Sequence, residues 1–179
     1  EVLKTMIELV RQVDTFDFTD EIKELALDFG NLYNIYGREN YIKHFIEYIK
    51  GHDTFKLDGI EKTLIEIEKD RVNRYIEEKM QHVKFATIDN IKVGIVFAEK
   101  NRSMLGHAMA KYFQDKIDIA IIIDVDRSVS YRAEKENVDI TLLAARYDGG
   151  GHKHAGGSPL PVDIQEKIVE QIFESVQWQ

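Results

Sequence analysis

The fold is decided by the stretch Ile117-Asp118-Ile119-Ala120-Ile121-Ile122-Ile123-Asp124-Val125. Its middle is apolar on both sides of an extended chain, which is typical of a strand buried in the centre of a sheet. Two earlier stretches, 83–88 and 92–98, are separated by a turn-forming pair and predict a β-hairpin. The alternating stretch 128–133 predicts a partner strand on the other side. A sheet built around the central strand is therefore expected.

Helical segments separate and follow these strands. One helix is expected to be capped by Ser103, and another by Asp139 and to run to Tyr147. The segments that complete the chain are a glycine-rich loop, a short strand at 155–160 and a last helix at 163–176. Residues 83–179 therefore predict the order β-β-α-β-β-α-β-α, which is an α/β domain with a mixed sheet.

The first part of the chain, residues 1–82, predicts helices almost throughout. Apolar residues recur at three- and four-residue spacing, and breaks are predicted at 14–18, at Gly37 and at Gly51. The longest helix, 57–80, alternates acidic and basic side chains, which favours a solvated connector between two lobes. The expected fold class is therefore α/β, with a helical N-terminal connector followed by the mixed-sheet α/β domain.

The composition limits the functions that the chain could have. It contains no cysteine, which excludes disulfides and thiolate metal sites and favours a reducing, cytoplasmic setting. No apolar run is long enough to span a bilayer, so we expect no membrane partner. The net charge of −8 argues against a broad basic face for duplex DNA but allows one focused site for a small anion. Because the chain opens on Glu1 within a helical pattern, we expect a piece of a longer protein.

The strongest candidate for a binding site is Gly149-Gly150-Gly151-His152-Lys153-His154-Ala155-Gly156-Gly157. Adjacent glycines cost backbone entropy and permit a close backbone approach, and His152 adds a titratable donor. Convergent peptide N–H groups with a nearby donor suit an oxyanion such as a phosphate. The alternative is a surface turn with an exposed histidine, and local composition leaves both open. A metal site made of Asp148, His152 and His154 is a less favoured alternative.

Other polar residues could complete such a site. Ser130 and Arg132 lie two apart on an alternating strand and would share a face, where a hydroxyl and a guanidinium can hold one phosphate. The competing interpretation of Arg132 is an ordinary exposed arginine. Ser103 is interpreted first as a helix cap and second as a phosphate contact. Asp124 and Asp126 end the central strand, where α/β sheets commonly hold ligands.

Four motifs occur in one order: Ser130-Tyr131-Arg132, then Val138-Asp139-Ile140-Thr141-Leu142-Leu143-Ala144, then Gly149-Gly150-Gly151-His152, then Ala155-Gly156-Gly157. Together they resemble the C-terminal, DHH-associated domain of the DHH phosphoesterase family, whose hallmark is a Gly-Gly-Gly-His motif after an arginine strand and a helix. The resemblance extends from Val83 to the end of the sequence. The helical first part is similar to the middle region of the oligoribonuclease and phosphodiesterase branch of that family.

The resemblance implies an enzyme of two lobes. In the family, an N-terminal lobe carries an Asp-His-His motif that binds two manganese ions, and the C-terminal lobe holds the substrate. Gly149-Gly150-Gly151-His152 would line the phosphate site, and Arg132 would hold the phosphate or the 3′ end. No Asp-His-His triplet occurs in this chain, so we expect no catalytic residue and no tightly bound metal here. Asp14 would correspond to the last metal-binding aspartate of the missing lobe.

Two positions depart from the family pattern, because Gly156 replaces a usual alanine and Asp148 stands where a further glycine is common. The resemblance implies a manganese-dependent phosphodiesterase acting on short oligoribonucleotides or related nucleotide phosphodiesters, with this chain inactive alone. Its partners would be such a ligand and the missing lobe, and a homodimer stays open. The alternatives are a pyrophosphatase-like or polyphosphatase-like protein, a nucleotide-binding module, and a metallohydrolase built on His152, His154 and Asp148.

Overall fold

The computed structural model describes residues 1–15, 19–173, 175–176 and 178, with Thr15 described by its backbone alone. Contacts within the chain divide it into two compact units, Glu1–Val72 and Asn73–Gln179. The predicted boundary after residue 82 lies just beyond the helix in which the first unit ends and the second begins. The α/β fold class with a helical first part is confirmed. None of the described helices is long and apolar enough to cross a membrane.

The first unit is helical, and its elements are α1 (Val2–Thr15), α2 (Lys23–Gly51) and the first part of α3 (Gly59–Gln81). Gly37 has φ 71° and ψ 160°, so α2 consists of two helical segments that meet at a kink. The predicted stop at Gly37 is therefore a change of direction, and the predicted stop at Gly51 is the last residue of α2. At α3, Glu61 and Asp58 exchange side chain to backbone hydrogen bonds of 2.7 and 2.8 Å, which is a capping box.

Aromatic side chains form the centre of the first unit. Phe29 is 2% exposed, and its ring centroid lies 4.9 Å from that of Phe45, 5.1 Å from Phe55 and 5.4 Å from Tyr41. Such tilted and edge-on contacts are favoured by the ring quadrupoles and add to the gain from burying the rings. This unit therefore has a core of its own.

The second unit is built on a six-stranded sheet in the order β1-β2-β3-β4-β6-β5. The strands are β1 (Lys84–Ile88), β2 (Ile91–Phe97), β3 (Ile119–Asp124), β4 (Ser128–Arg132), β5 (Gly150–His152) and β6 (Ala155–Pro159). β2 and β3 are parallel and the other pairs are antiparallel, so the sheet is mixed. The predicted hairpin is present, and both its turn residues, Asp89 and Asn90, have positive φ as a tight two-residue turn requires.

The central strand lies where the sequence predicts. β3 has β2 on one side and β4 on the other, and Ile119, Ala120 and Ile122 are fully buried. One face of the sheet packs against α4 (Arg102–Tyr112) through Leu105 and Met109, and the other packs against α5 (Thr141–Ala145). The apolar character of both faces of β3 follows from these two layers.

Several predicted elements differ in extent. α5 has five residues, because Asp148 has positive φ and the amide of Gly149 donates to the carbonyl of Ala144. The side chain of Asp139 accepts a 2.9 Å hydrogen bond from the amide of Thr141 at the start of this helix. The last helix, α6 (Ile164–Ile172), ends before the predicted residue 176. The glycine-rich segment predicted as a loop instead contains β5.

A pH-dependent contribution to stability is expected from Asp118, whose carboxylate accepts hydrogen bonds from Lys135 Nζ (2.7 Å) and the amide of Lys92 (3.1 Å). Chiefly because of the Lys135 bond, the pKa of Asp118 lies below its ordinary value of 3.8. The stabilisation is therefore complete above the unfolded pKa and is lost as the pH falls through the lower, folded pKa.

We accordingly expect Asp118→Asn to lower the free energy of unfolding at pH 7 by less than about 1 kcal/mol, since the pair is partly exposed. Urea unfolding of both proteins at stepwise lower pH measures the difference, which should shrink towards zero in acid. A difference that stays constant from pH 7 into acid would contradict this origin.

Candidate functional site

The predicted site residues of β4 lie on one face of the sheet. Ser128, Ser130 and Arg132 alternate along the strand, so their side chains leave the same side. Residues directly opposite each other in neighbouring antiparallel strands also share a face. On β6, Gly157 is opposite Ser130 and Ala155 is opposite Arg132. Both β6 residues are small, so their side chains leave space beside the arginine on this face.

The glycine motif continues the same two rows onto the edge strand. Gly150 is opposite Gly157, and His152 is opposite Ala155. One row therefore runs from Ser130 to Gly150, and the parallel row runs from Arg132 to His152. The pairing thus brings four of the predicted site residues onto one face, across three strands.

The helix α4 covers part of this face and holds the arginine. Arg132 Nη2 donates to Ser103 Oγ at 3.1 Å, and Arg132 Nη1 donates to the carbonyl of its neighbour Tyr131 at 3.0 Å. The side-chain stem passes under Gly106, where an added Cβ would lie 2.7 Å from Arg132 Cγ. Burial lowers the pKa of Arg132, but a guanidinium stays charged at neutral pH.

The interpretation of Ser103 as a helix cap is wrong. α4 begins at Arg102, its N-cap is Asn101 in the left-handed conformation, and the Asn101 side chain makes no capping hydrogen bond. Ser103 lies within the first turn, and its exposed hydroxyl accepts the bond from Arg132. Its second interpretation, as a phosphate contact, stays a prediction.

The motif glycines fall into two groups. A Cβ on Gly149, Gly151 or Gly157 would collide with backbone atoms of the facing strands, and Gly151 also has φ 148°. A Cβ on Gly150 would meet no atom within 4 Å. Packing within the hairpin and against β4 thus explains the first group but not Gly150, whose backbone is exposed on the face that carries Ser130.

The hairpin of β5 and β6 is tied to the rest of the unit by its turn. The carbonyl of His154 accepts from the amide of Ala133 at 3.1 Å, and that of Lys153 accepts from the amide of Ile140 at 3.0 Å. On the opposite face, the hydroxyls of Tyr131 and Ser158 form a buried 2.8 Å hydrogen bond. Burial raises the pKa of Tyr131. These contacts fix the hairpin beside β4.

A second arginine lies at the start of α4, and no sequence pattern predicted a role for it. Arg102 Nη1 donates to Ser128 Oγ at 2.9 Å and lies 3.5 Å from Asp124 Oδ2. Asp124 is only 3% exposed and is the last residue of β3. The prediction that Asp124 ends the central strand is confirmed, and it faces an arginine 22 residues earlier in the sequence.

The described residues provide no group of ligands for the predicted metal sites. Among the described residues, no three His, Cys, Asp or Glu side chains are grouped so that they could hold a metal ion. That includes Asp148, His152 and His154, and His154 instead lies 3.9 Å from Glu136. Asp14 is exposed in the last turn of α1, which continues to Thr15 where a break was predicted. The rest of that predicted break, residues 16–18, lies outside the described residues. The assignment of Asp14 to a metal site stays a prediction.

One curated relative matches almost the whole chain. Oligoribonuclease NrnB of Bacillus subtilis (strain 168) is 29% identical over 171 residues, which cover 96% of this chain and 43% of the relative. The chain therefore spans less than half the length of this relative. No family model matches the sequence.

Two solved structures are similar at low identity. One is the pGpG-specific phosphodiesterase PggH of Vibrio cholerae, with 17% identity, a TM-score of 0.47 and coverage of 94% of this chain and 64% of the other. The second is the DHH domain of a member of the s1p family of ribosomal proteins, with 19% identity, a TM-score of 0.40 and coverage of 62% and 32%.

Proposed function

We propose that this chain binds the substrate of a phosphodiesterase of the DHH family, a proposal supported by its resemblance to that family and by its similarity to an oligoribonuclease. The ligand would be a short oligoribonucleotide or a related nucleotide phosphodiester. The chain would bind and orient the phosphate, and the Asp-His-His lobe would supply the manganese ions and the cleavage chemistry.

A single observation carries the proposal: Arg132, Ser130 and the open backbone of Gly150 lie on one face of the sheet. Ser103, in α4, accepts a hydrogen bond from Arg132 on that side. A guanidinium and hydroxyl groups are the donors that recognise phosphate oxygens. Because an added Cβ at Gly150 would meet no atom within 4 Å, a ligand can approach the main chain there. Together these groups form a small positive site on a chain with net charge −8, which suits a focused anionic ligand.

The free energies involved in binding a phosphate are much smaller than those needed to cleave a phosphodiester. Charge-assisted hydrogen bonds are worth about 1.5–3 kcal/mol each, which is enough to bind and orient a phosphate. Enzymes lower activation barriers by about 8–23 kcal/mol, and phosphodiester hydrolysis usually draws on paired metal ions. The described residues offer no cluster of ligands for such a metal, so no step of the reaction is assigned to them.

Isothermal titration calorimetry of the chain with diadenylate carrying a terminal phosphate tests the proposal, with adenosine as the control ligand. We expect the phosphorylated dinucleotide to bind and adenosine to give no heat. His152→Ala should weaken binding while leaving the unfolding curve unchanged. Equal binding of adenosine, or no binding of either compound, would overturn the proposal.

A second assay separates binding from catalysis. The chain is incubated with manganese and bis-p-nitrophenyl phosphate, and the bound metal is measured after gel filtration. We expect no release of nitrophenol. Turnover together with stoichiometric metal would instead favour a metallohydrolase built on His152, His154 and Asp148.

A further inference from the structure

We propose that Arg102 is a second ligand-contacting arginine of this site, and that the buried carboxylate of Asp124 is the positioning residue that holds it. The inference rests on the proposed function, because it concerns the same phosphate-binding face. Neither the glycine motif nor the family resemblance predicts this second cation or the residue that supports it.

Arg102 is anchored by one end of its guanidinium. Its Nη1 donates to Ser128 Oγ at 2.9 Å and lies 3.5 Å from Asp124 Oδ2, so one end of the guanidinium is fixed. Across the described part of the chain, Nε and Nη2 of Arg102 have no hydrogen-bond partner. The side chain is 26% exposed. A guanidinium held by one nitrogen presents its remaining N–H groups as a fork, which suits two oxygens of a phosphate.

The guanidinium of Arg102 lies at the Ser128 end of the polar face of β4. Ser128 stands two residues before Ser130, on the same face of β4. Arg132 stands two residues after Ser130 on that face. Arg102 donates a hydrogen bond to Ser128. Arg132 donates one to Ser103, which follows Arg102 in the first turn of α4. The two arginines therefore bracket the row that runs from Ser130 to the open Gly150.

The carboxylate of Asp124 is buried at the end of β3. This side chain is 3% exposed, and Oδ1 accepts only a 3.2 Å bond from the amide of Asp126. Oδ2 has no hydrogen-bond partner among the described residues and faces the Arg102 guanidinium. A buried carboxylate is costly unless it is paired, so Asp124 and Arg102 constrain each other. The carboxylate thus orients the arginine, and its burial keeps it away from the ligand.

The test measures the Kd of diadenylate with a terminal phosphate for single and double variants of the whole chain. Arg102→Ala should weaken binding about tenfold, which is the loss of one charge-assisted interaction. Arg102→Lys should recover part of this loss, because it keeps the charge without the fork. Arg146→Ala is the matched control: Arg146 follows α5, which packs on the other face of the sheet, and it pairs with Asp89, so Kd should stay unchanged.

A double-mutant cycle tests the positioning role. Asp124→Asn should weaken binding about fivefold in the wild-type background and have no effect in the Arg102→Ala background. Asp118→Asn makes the same chemical change beside the other end of β3 and serves as the control. Because Asp124 is buried, Ser128→Ala supplies a milder variant that removes the other anchor of Arg102. Thermal unfolding of every variant shows that it is folded at the temperature of the titration.

The outcomes separate the two proposals. Failure of the wild-type chain to bind the dinucleotide overturns the proposed function. Binding by the wild type with an unchanged Kd for Arg102→Ala overturns the role of Arg102 alone. Tighter binding by Asp124→Asn would contradict the positioning role, because the carboxylate would then lower affinity by neutralising the charge of Arg102. Additive losses in the cycle would show that Asp124 does not act through the arginine.

Discussion

Replacing Gly151 with alanine is expected to lower the free energy of unfolding by about 3 kcal/mol or more, because a strained backbone and a steric collision act together. Gly151 has φ 148°, a conformation that side chains with a Cβ rarely adopt. The new methyl would collide with the carbonyl oxygen of Ala155 and with Gly156 Cα on the facing strand. Neither atom can yield without separating β5 from β6. Urea unfolding followed by circular dichroism measures the loss.

Gly150→Ala is the matched control, one residue away on the same strand. A Cβ at this position meets nothing within 4 Å, so the free energy of unfolding should change by no more than about 0.5 kcal/mol. The same variant should weaken binding of the phosphorylated dinucleotide, since its methyl would stand on the open face. Similar losses of stability for the two variants would contradict the division of the motif into packing glycines and a ligand-facing glycine.

Arg132→Ala should weaken binding of the phosphorylated dinucleotide about 100-fold, because the guanidinium is expected to make paired charge-assisted bonds to the phosphate. The truncation also removes the stem that packs beneath Gly106, so thermal unfolding must be recorded beside the titration. Arg132→Lys keeps a charge and most of the stem, and about a tenfold loss is expected for it.

Comparison of these variants distinguishes a ligand contact from a structural role. If Arg132 acts only by packing, the lysine variant should bind like the wild type. If it contacts the phosphate, both variants should bind more weakly, and Arg132→Ala should leave a site with a smaller dependence of Kd on salt. Arg146→Ala again controls for the loss of one charge. An unchanged Kd for Arg132→Ala would remove the central residue of the proposed site.

The sheet could be predicted from local patterns because each signal lies within a short stretch. The apolar run of β3 requires burial on both faces, and the turn at Asp89-Asn90 requires residues that tolerate positive φ. The strand β5 could not be predicted in this way. Its residues, Gly150 to His152, have little intrinsic preference for strands, and they are extended because they pair with β6.

The site was predictable to the extent that its residues share one strand. Period-two alternation places Ser130 and Arg132 on one face without knowledge of the fold. The partners of these residues come from distant segments. Ser103 lies 29 residues before Arg132, and Arg102 lies 22 residues before Asp124. No local pattern links such positions, so the sequence suggested a cap at Ser103 and no role for Arg102.

The glycine hairpin lies at the edge of the sheet, and this position affects when the site forms and how easily it opens. The face is assembled from segments around residues 102–106, 128–132 and 150–157, so its contacts close long loops and are expected late in folding. β5 is three residues long and, within the described part of the chain, pairs only with β6, so we expect it to have a low opening free energy. A phosphate that bridges Arg132 and the main chain of β5 would suppress that opening. Ligand binding would then slow hydrogen exchange of the Gly150–His152 amides. The glycine motif would be most ordered in the ligand-bound state.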